Sequence, residues 1–202
     1  MKKPLQFLLG FTALVFVWSA VNPHDYFTWI LEVFPAIIAA YILFRTYKTF
    51  PLTSLAYVLI CIHAIILMVG GHYTYAEVPL GEWMKEWFGF SRNHYDRIGH
   101  FAQGFVPAII AREILLRSRT LKNGKWLFFI CSCICMAISS FYELIEWWVA
   151  LASGTSADAF LGTQGDVWDT QKDMCLAMIG AITALIVLSR LHDQLIKKHF
   201  KN

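Results

Sequence analysis

Residues 52–69, LTSLAYVLICIHAIILMV, form an eighteen-residue stretch without any Asp, Glu, Lys or Arg. A bilayer hydrocarbon core about 30 Å thick needs roughly 20 apolar helical residues to cross it, so this stretch predicts a transmembrane helix. Five further stretches qualify, and together the six account for most of the 202 residues. The predicted spans are 5–21, 26–44, 52–69, 94–116, 126–150 and 170–191.

The composition excludes the main alternatives. Hydrophobic residues make up 57% of the chain and charged residues 15%, whereas about 25% is typical of soluble domains. High hydrophobicity with a net charge of only +3 excludes a disordered chain. Five cysteines, an odd number, all inside apolar stretches, exclude a secreted disulfide scaffold. The sequence therefore predicts an all-α polytopic membrane protein, a six-transmembrane-helix bundle forming a single integral membrane domain over residues 1–202.

A seventh helical segment is predicted between spans three and four. Its apolar residues, Leu80, Trp83, Met84, Trp87 and Phe88, have helical spacing and alternate with charged residues. This pattern is typical of a short amphipathic helix lying in the membrane interface, here near 80–90, although an ordered loop is the alternative.

The basic residues predict the orientation. Of the 17 Lys and Arg residues, 13 fall on one side of the predicted bundle, and Lys85, Arg92, Arg97 and Lys172 fall on the other. Positively charged loops favour the cytoplasm, so both termini are predicted to be cytoplasmic. The net charge of +3 is explained by topology and predicts no nucleic-acid partner.

Polar residues recur on one face of three predicted helices, at the non-cytoplasmic end of each. Because an ionised side chain inside a bilayer is costly, such faces point into the bundle rather than at lipid. The spacing is i, i+3 or i+4, and i+7, which keeps the side chains on one helix face. These residues are Asp96, His100 and Gln103 in span four, Ser139, Glu143 and Glu146 in span five, and Asp166, Asp169 and Asp173 at the start of span six, with Glu32, His72, Tyr75 and Glu77 at the same level.

Convergence of these faces predicts a polar pocket open to the periplasm. The predicted catalytic residues are His100, Asp96, Glu143 and Glu146. The predicted substrate-binding residues are His72, Tyr75, Glu77, Gln103, Asp166, Asp169 and Asp173. The expected ligand is a membrane lipid, through its headgroup, or a lipid-linked substrate.

A divalent metal is one cofactor that such a pocket would suit. Carboxylates with imidazole bind Mg²⁺, Ca²⁺, Mn²⁺, Zn²⁺ or iron, and a histidine beside acids serves equally as a general base without a metal. The candidate ligands are Asp96, His100, Glu143, Glu146 and Asp173. No specific metal motif such as His-Glu-x-x-His is present.

A structural alternative is a network of buried salt bridges and helix caps. Eight acids lie at this level, whereas the nearby basic residues are Arg92, Arg97 and Lys172. Pairing alone cannot neutralise that many carboxylates, which favours protonation, water or a bound cation. Three function classes stay open: an enzyme or lipid-binding protein, a cation- or proton-coupled transporter, and a structural membrane protein.

Four sequence stretches resemble the YjdF family of bacterial inner-membrane proteins: GGHYTY at 70–75, DRIGHF at 96–101, YELIEW at 142–147 and GDVWDTQKD at 165–173. That family has no established activity, so the resemblance implies a bacterial inner-membrane location and a topology only. More distantly, spans four to six resemble VanZ-like proteins, which are linked to glycopeptide-antibiotic resistance. The matching positions are Asp96, His100, Phe101, Glu143 and Asp169 or Asp173, with Arg97 in place of a lysine.

Overall fold

The computed structural model describes residues 3–153 and 158–200. Within these ranges the chain is helical and has no strand, which confirms the all-α prediction. Lys2 and Lys201, two of the basic residues that support the predicted orientation, lie outside the described residues. The helices are α1 (Lys3–Ala20), α2 (Tyr26–Thr46), α3 (Ser54–Tyr73), α4 (Pro79–Phe88), α5 (Tyr95–Arg117), α6 (Lys125–Ser153), α7 (Asp158–Leu161), α8 (Asp169–Val187) and α9 (Ser189–His199), with a 3₁₀ turn at Tyr75–Glu77.

Four of the described helices, α2, α3, α6 and α8, are long and apolar enough to cross a membrane. Helix α1 is apolar but shorter, over Pro4–Ala20. Helix α5 is long enough, at 23 residues, but carries charged residues near both of its ends. The structure thus establishes a helical membrane protein, and the count of six spans stays a prediction.

The structure changes the end of one predicted span and gives the bounds of the predicted short helix. Span six, predicted to continue to 191, ends at Val187, and a separate polar helix, α9, starts at Ser189. The Ser189 hydroxyl donates to the Leu185 carbonyl, a bond that competes with regular helical pairing. The short helix predicted near 80–90 is α4, which has Pro79 at its start and ends at Gly89.

Side-chain caps mark the starts of α2 and α3. The Asp25 carboxylate accepts a hydrogen bond from the Thr28 backbone N–H at 2.6 Å, at the start of α2. The Thr53 hydroxyl is placed in the same way, 3.4 Å from the Ala56 backbone nitrogen at the start of α3. Such caps satisfy N–H groups that have no partner within the helix.

Helices α5 and α8 run parallel and pack closely. A Cβ atom added at Gly104 would overlap the Ala177 carbonyl, and one added at Gly180 would overlap the Phe101 carbonyl. Small residues at a helix interface allow backbones to approach and gain van der Waals contact, one of the forces that drive helix association in lipid. This crossing aligns the first turns of α5 and α8, where the acidic residues lie.

The bundle has two polar ends separated by an apolar layer. We call the end where α5 and α8 begin the acidic end, and the end where they finish the basic end. Between them lies a buried cluster of small and aliphatic side chains, namely Ala108, Ile109, Ala111, Leu127, Cys131, Cys135, Ala181, Ala184 and Leu185.

Candidate functional site

Arg92, just before α5, binds the segment that leads into α8. Its guanidinium donates to the Asp169 carboxylate at 2.6 Å and to the carbonyls of Thr163 and Gly162 at 2.9 and 3.1 Å. The side chain is buried, with 8% of the residue exposed. Sequence reasoning counted Arg92 as a nearby basic residue and did not place it in the site.

Arg97, in the first turn of α5, binds three carboxylates at and just before the start of α8. It donates to Asp173, to Asp169 at 2.6 Å and to Asp166 at 3.1 Å. Lys172 also binds Asp166, at 2.6 Å. The hydrogen bond from Lys172 and that from the Trp168 backbone N–H lower the pKa of Asp166. This part of the acidic end is therefore an ion-pair network that holds α5 against α8.

His100 lies at the centre of a second group of acids, which we call the histidine cluster: Asp96, His100, Glu143 and Asp173. Its Nε2 atom is 3.2 Å from Asp96 Oδ1 and 3.8 Å from Asp173 Oδ2. Its Nδ1 atom is 3.2 Å from Gln103 Oε1 and 3.8 Å from Glu143 Oε1. Three helices thus supply the cluster, because α5 gives Asp96 and His100, α6 gives Glu143, and α8 gives Asp173, and Gln103 of α5 lies beside His100.

Every member of the histidine cluster is more than nine-tenths buried, with residue exposures between 3% for Asp173 and 8% for Asp96 and Glu143. Two of its carboxylate oxygens, Asp96 Oδ2 and Glu143 Oε1, are buried without a hydrogen-bond partner among the described residues. A buried, unpartnered carboxylate oxygen costs free energy, because nothing replaces the water it has lost. The nearest donors, Arg92 at 3.7 Å from the Asp96 oxygen and His100 at 3.8 Å from the Glu143 oxygen, are beyond hydrogen-bond distance, so each atom needs a proton, a water molecule or a closer cation.

Asp96, His100 and Asp173 have the geometry of a metal-ligand set. One ligand atom from each lies within 4.8 Å of the others, and all three residues are buried. Arg97 occupies the other oxygen of Asp173, so this carboxylate joins the ion-pair network to the histidine cluster.

Two further acids, Glu32 of α2 and Glu146 of α6, belong to the acidic end. Glu32 is 4% exposed, and the Tyr142 hydroxyl donates to its carboxylate at 3.4 Å. Glu146 is half-buried, one helical turn beyond Glu143 on α6. The Tyr75 ring is buried where Gly70 and Gly99 leave room for it, since a Cβ at Gly99 would lie 2.9 Å from that ring.

His72 and Glu77, which the sequence placed at the same level, make their contacts elsewhere. The His72 ring stacks on Trp18 with centroids 4.3 Å apart, and its Nδ1 atom is 3.1 Å from the Ser19 carbonyl oxygen. Glu77 faces His24 at 3.6 Å, and both side chains are more than half exposed. These residues connect the ends of α1 and α3 to the start of α2.

The basic end contains a buried network that sequence reasoning missed. The Glu113 carboxylate, 0% exposed, accepts from the Thr53 backbone N–H at 2.8 Å and from Arg117 at 2.8 Å. His192, also 0% exposed, lies 3.0 Å from the same carboxylate and 3.2 Å from Arg112. The i, i+4 spacing of Glu113 and Arg117 is the one signal in the sequence that points to this network.

Comparison with known proteins agrees with the helical membrane architecture. Residues 4–194 match a family model described as a predicted membrane protein, DUF2238. The chain is 52% identical over 185 residues to the inner membrane protein YjdF of Escherichia coli strain K12. The aligned residues cover 92% of this chain and 88% of that protein. No solved structure matches. A VanZ-like protein is not among these matches, so that resemblance stays a hypothesis.

Proposed function

Since the chain belongs to the DUF2238 family of predicted membrane proteins, we propose that it is an inner-membrane protein whose histidine cluster binds a divalent cation and acts on the polar headgroup of a lipid or lipid-linked substrate. One observation carries the proposal. Asp96, His100 and Asp173 each place one ligand atom in a buried site, and these three atoms lie within 4.8 Å of one another.

The separations suit a cation with short ligand bonds. Zinc or manganese bonds of about 2.0–2.2 Å put neighbouring ligand atoms roughly 3–3.5 Å apart. The Nε2 atom of His100 is 3.2 Å from Asp96 Oδ1 and 3.8 Å from Asp173 Oδ2. Small side-chain rotations would bring all three atoms into one coordination sphere.

Charge supports the same proposal. Arg92, Arg97 and Lys172 bind Asp166, Asp169 and Asp173, and Arg92 also lies 3.7 Å from the Asp96 carboxylate. The remaining acids, Glu32, Glu143 and Glu146, have no arginine or lysine within 4 Å among the described residues. Carboxylates brought together in a poorly solvated interior repel one another, and a divalent cation offsets that repulsion.

The proposed chemistry gives each acid a role. A cation bound by Asp96, His100 and Asp173 would polarise a phosphoryl or carbonyl oxygen, or activate water. Glu143, whose Oε1 atom lies 3.8 Å from His100 and lacks a hydrogen-bond partner among the described residues, is placed to accept a proton, with Glu146 one turn further along α6. Gln103 orients His100 through its Nδ1 atom.

A groove beside the cluster suits an amphiphilic substrate. A cavity of about 460 Å³ lies between α4 and α5 and is lined by Met84, Phe90, His94, Arg97, Ile98 and Phe101. Its lining is mostly apolar, and Arg97 connects its wall to Asp173 of the histidine cluster. An acyl chain could occupy this groove while the headgroup reaches the acids.

The topology of six spans with both termini cytoplasmic belongs to the proposal. In this orientation the acidic end, including Trp83 and Trp87 of α4, lies at the periplasmic surface. These two tryptophans are 53% and 72% exposed, as expected for side chains that lie at the headgroup level.

A transporter is the second candidate, and the apolar layer disfavours it. Buried polar groups at both ends would suit a transport path, but Ala108, Ala181 and Leu185 lie between the two ends, with at most 4% exposure. A site that opens to one side accounts better for this arrangement.

Elemental analysis of the detergent-purified protein tests the cation. We expect about one divalent ion per chain in the wild type and loss of that ion in His100→Ala and Asp96→Asn. His24→Ala removes an exposed histidine that also faces a carboxylate, and it should keep the ion. A wild type purified without chelator that contains no stoichiometric metal, and binds none on addition of Zn²⁺ or Mn²⁺, would overturn the proposal.

A further inference from the structure

A cavity of about 330 Å³ opens at the basic end, remote from the histidine cluster. Its polar wall includes Arg112, Asn123, Lys125 and Ser189, and its apolar wall consists of side chains from α6 and α8. An amphiphile with an anionic head would match both walls.

Residues that do not line the cavity hold the donor side chains of its polar wall in place. Arg112, 2% exposed, binds Asp193 at 2.6 Å and His192 at 3.2 Å. Asn123 binds the other oxygen of the same Asp193, at 3.1 Å. Asp193 thus fixes two donor side chains beside the cavity without being part of its lining.

The surrounding charge is positive. Asp193 offsets the charge of Arg112, but Lys125 is exposed and makes no ion pair with any described residue. Further exposed basic residues, Arg119, Lys122 and Arg190, belong to the same end, and its other acid, Glu113, is buried against Arg117. Clusters of this kind attract anionic lipid headgroups, at about 1 kcal/mol for each basic residue near the surface.

We propose that this cavity binds the phosphate of an anionic phospholipid headgroup, with Lys125 supplying the unpaired charge, Arg112 and Asn123 forming the polar wall, and the apolar walls contacting the first part of the acyl chains. The apolar contribution comes mainly from Phe128, which is 37% exposed and lines the cavity together with the buried side chains of Leu127 and Leu185. This site is independent of the proposed cation site.

The test measures thermal stabilisation of the protein in neutral detergent by phosphatidylglycerol, phosphatidylcholine or inorganic phosphate. We expect phosphatidylglycerol to raise the Tm by several degrees and phosphatidylcholine to have little effect. Lys125→Gln should weaken the apparent affinity about fivefold, the factor that corresponds to about 1 kcal/mol. Lys198→Gln, a change of an exposed lysine outside the cavity, is the matched control.

A second variant tests the cavity itself. Ser189→Phe fills it while leaving the basic residues in place, and it should abolish the preference for phosphatidylglycerol. If inorganic phosphate stabilises the wild type as strongly as the lipid does, the phosphate chemistry is supported and the source is a soluble anion. Equal stabilisation by both lipids, or equal response of Lys125→Gln and Lys198→Gln, would overturn the proposal.

Discussion

The Nε2 atom of His192 lies 3.0 Å from Oε2 of Glu113, and both side chains are completely buried. Arg112 can only donate hydrogen bonds, and it approaches the other ring nitrogen of His192 at 3.2 Å. We therefore assign the ring hydrogen of His192 to Nε2, which donates to Glu113, while Nδ1 accepts from Arg112. These two hydrogen bonds join α5 to α9.

Removing Glu113 should be among the most damaging changes in the chain. Glu113→Ala leaves Arg117 without its carboxylate partner and the Thr53 N–H without an acceptor, so we expect a loss of about 3–5 kcal/mol in the free energy of unfolding. Glu77→Gln is the control, because this carboxylate and the histidine it faces, His24, are both more than half exposed, so its loss should cost at most about 1 kcal/mol. Reversible unfolding in mixed micelles measures both, and equal effects would refute the assigned role of Glu113.

Close packing of α5 on α8 predicts the effect of adding one methyl group. Gly104→Ala would place a Cβ against the Ala177 carbonyl, so the helices must separate, and we expect a loss of about 1–3 kcal/mol. Gly10→Ala in α1 is the matched control, since no atom lies within 4 Å of the added Cβ, and alanine should stabilise that helix by about 0.5–1 kcal/mol. The same unfolding measurement would contradict the packing argument if both changes had the same sign.

Helical periodicity predicted the α5 and α6 contributions to the histidine cluster because both features depend on spacing along one helix. Asp96 and His100 are one turn apart on α5, and Glu143 lies on the predicted face of α6. Arg92 was missed because it lies outside the predicted span and its partner, Asp169, is 77 residues away. The basic-end network was missed for a similar reason: Glu113 and His192 belong to different helices, and only the fold brings them together.

Orientation is tested by reporter fusions. We expect fusions after Lys48 and after Lys122 to report a cytoplasmic position, because basic residues concentrate in these connections. A fusion in the segment that follows α6, after Gly162, should report a periplasmic position. A periplasmic reading after Lys48 or Lys122 would contradict the proposed topology.

The Asp25 cap gives the start of α2 a defined pH dependence. Hydrogen bonds from the backbone and side chain of Thr28 lower the pKa of Asp25 below its ordinary value of 3.8. A carboxyl group whose pKa is lower in the folded state stabilises the fold above its unfolded pKa, and this contribution is lost as the pH falls through the folded value. Asp25→Ala should therefore cost about 1 kcal/mol at pH 7 and progressively less below about pH 4.

Asp25→Asn is the control for that experiment, because an asparagine side chain still caps the helix but cannot titrate. This variant should retain most of the stability at pH 7 and remove the acid dependence. Thermal melts of the three proteins between about pH 7 and pH 3 measure the difference. A constant difference between wild type and Asp25→Ala at all pH values would contradict a titrating cap.

The two halves of the acidic end predict opposite effects of removing a charge. Arg97 binds three carboxylates, and although Asp169 keeps Arg92 and Asp166 keeps Lys172, Arg97→Gln leaves Asp173 buried without an arginine or lysine partner. This change should destabilise the protein by about 3–5 kcal/mol. Glu143→Gln and Glu146→Gln instead remove like charges that have no arginine or lysine partner among the described residues, so the metal-free protein should be unchanged or more stable.

If a divalent cation is bound, chelator should lower the Tm of the wild type and have less effect on Glu143→Gln, because fewer carboxylates then repel one another. Thermal melts with and without chelator separate these contributions, and a large loss of stability in metal-free Glu146→Gln would show that this acid belongs to a structural ion-pair network.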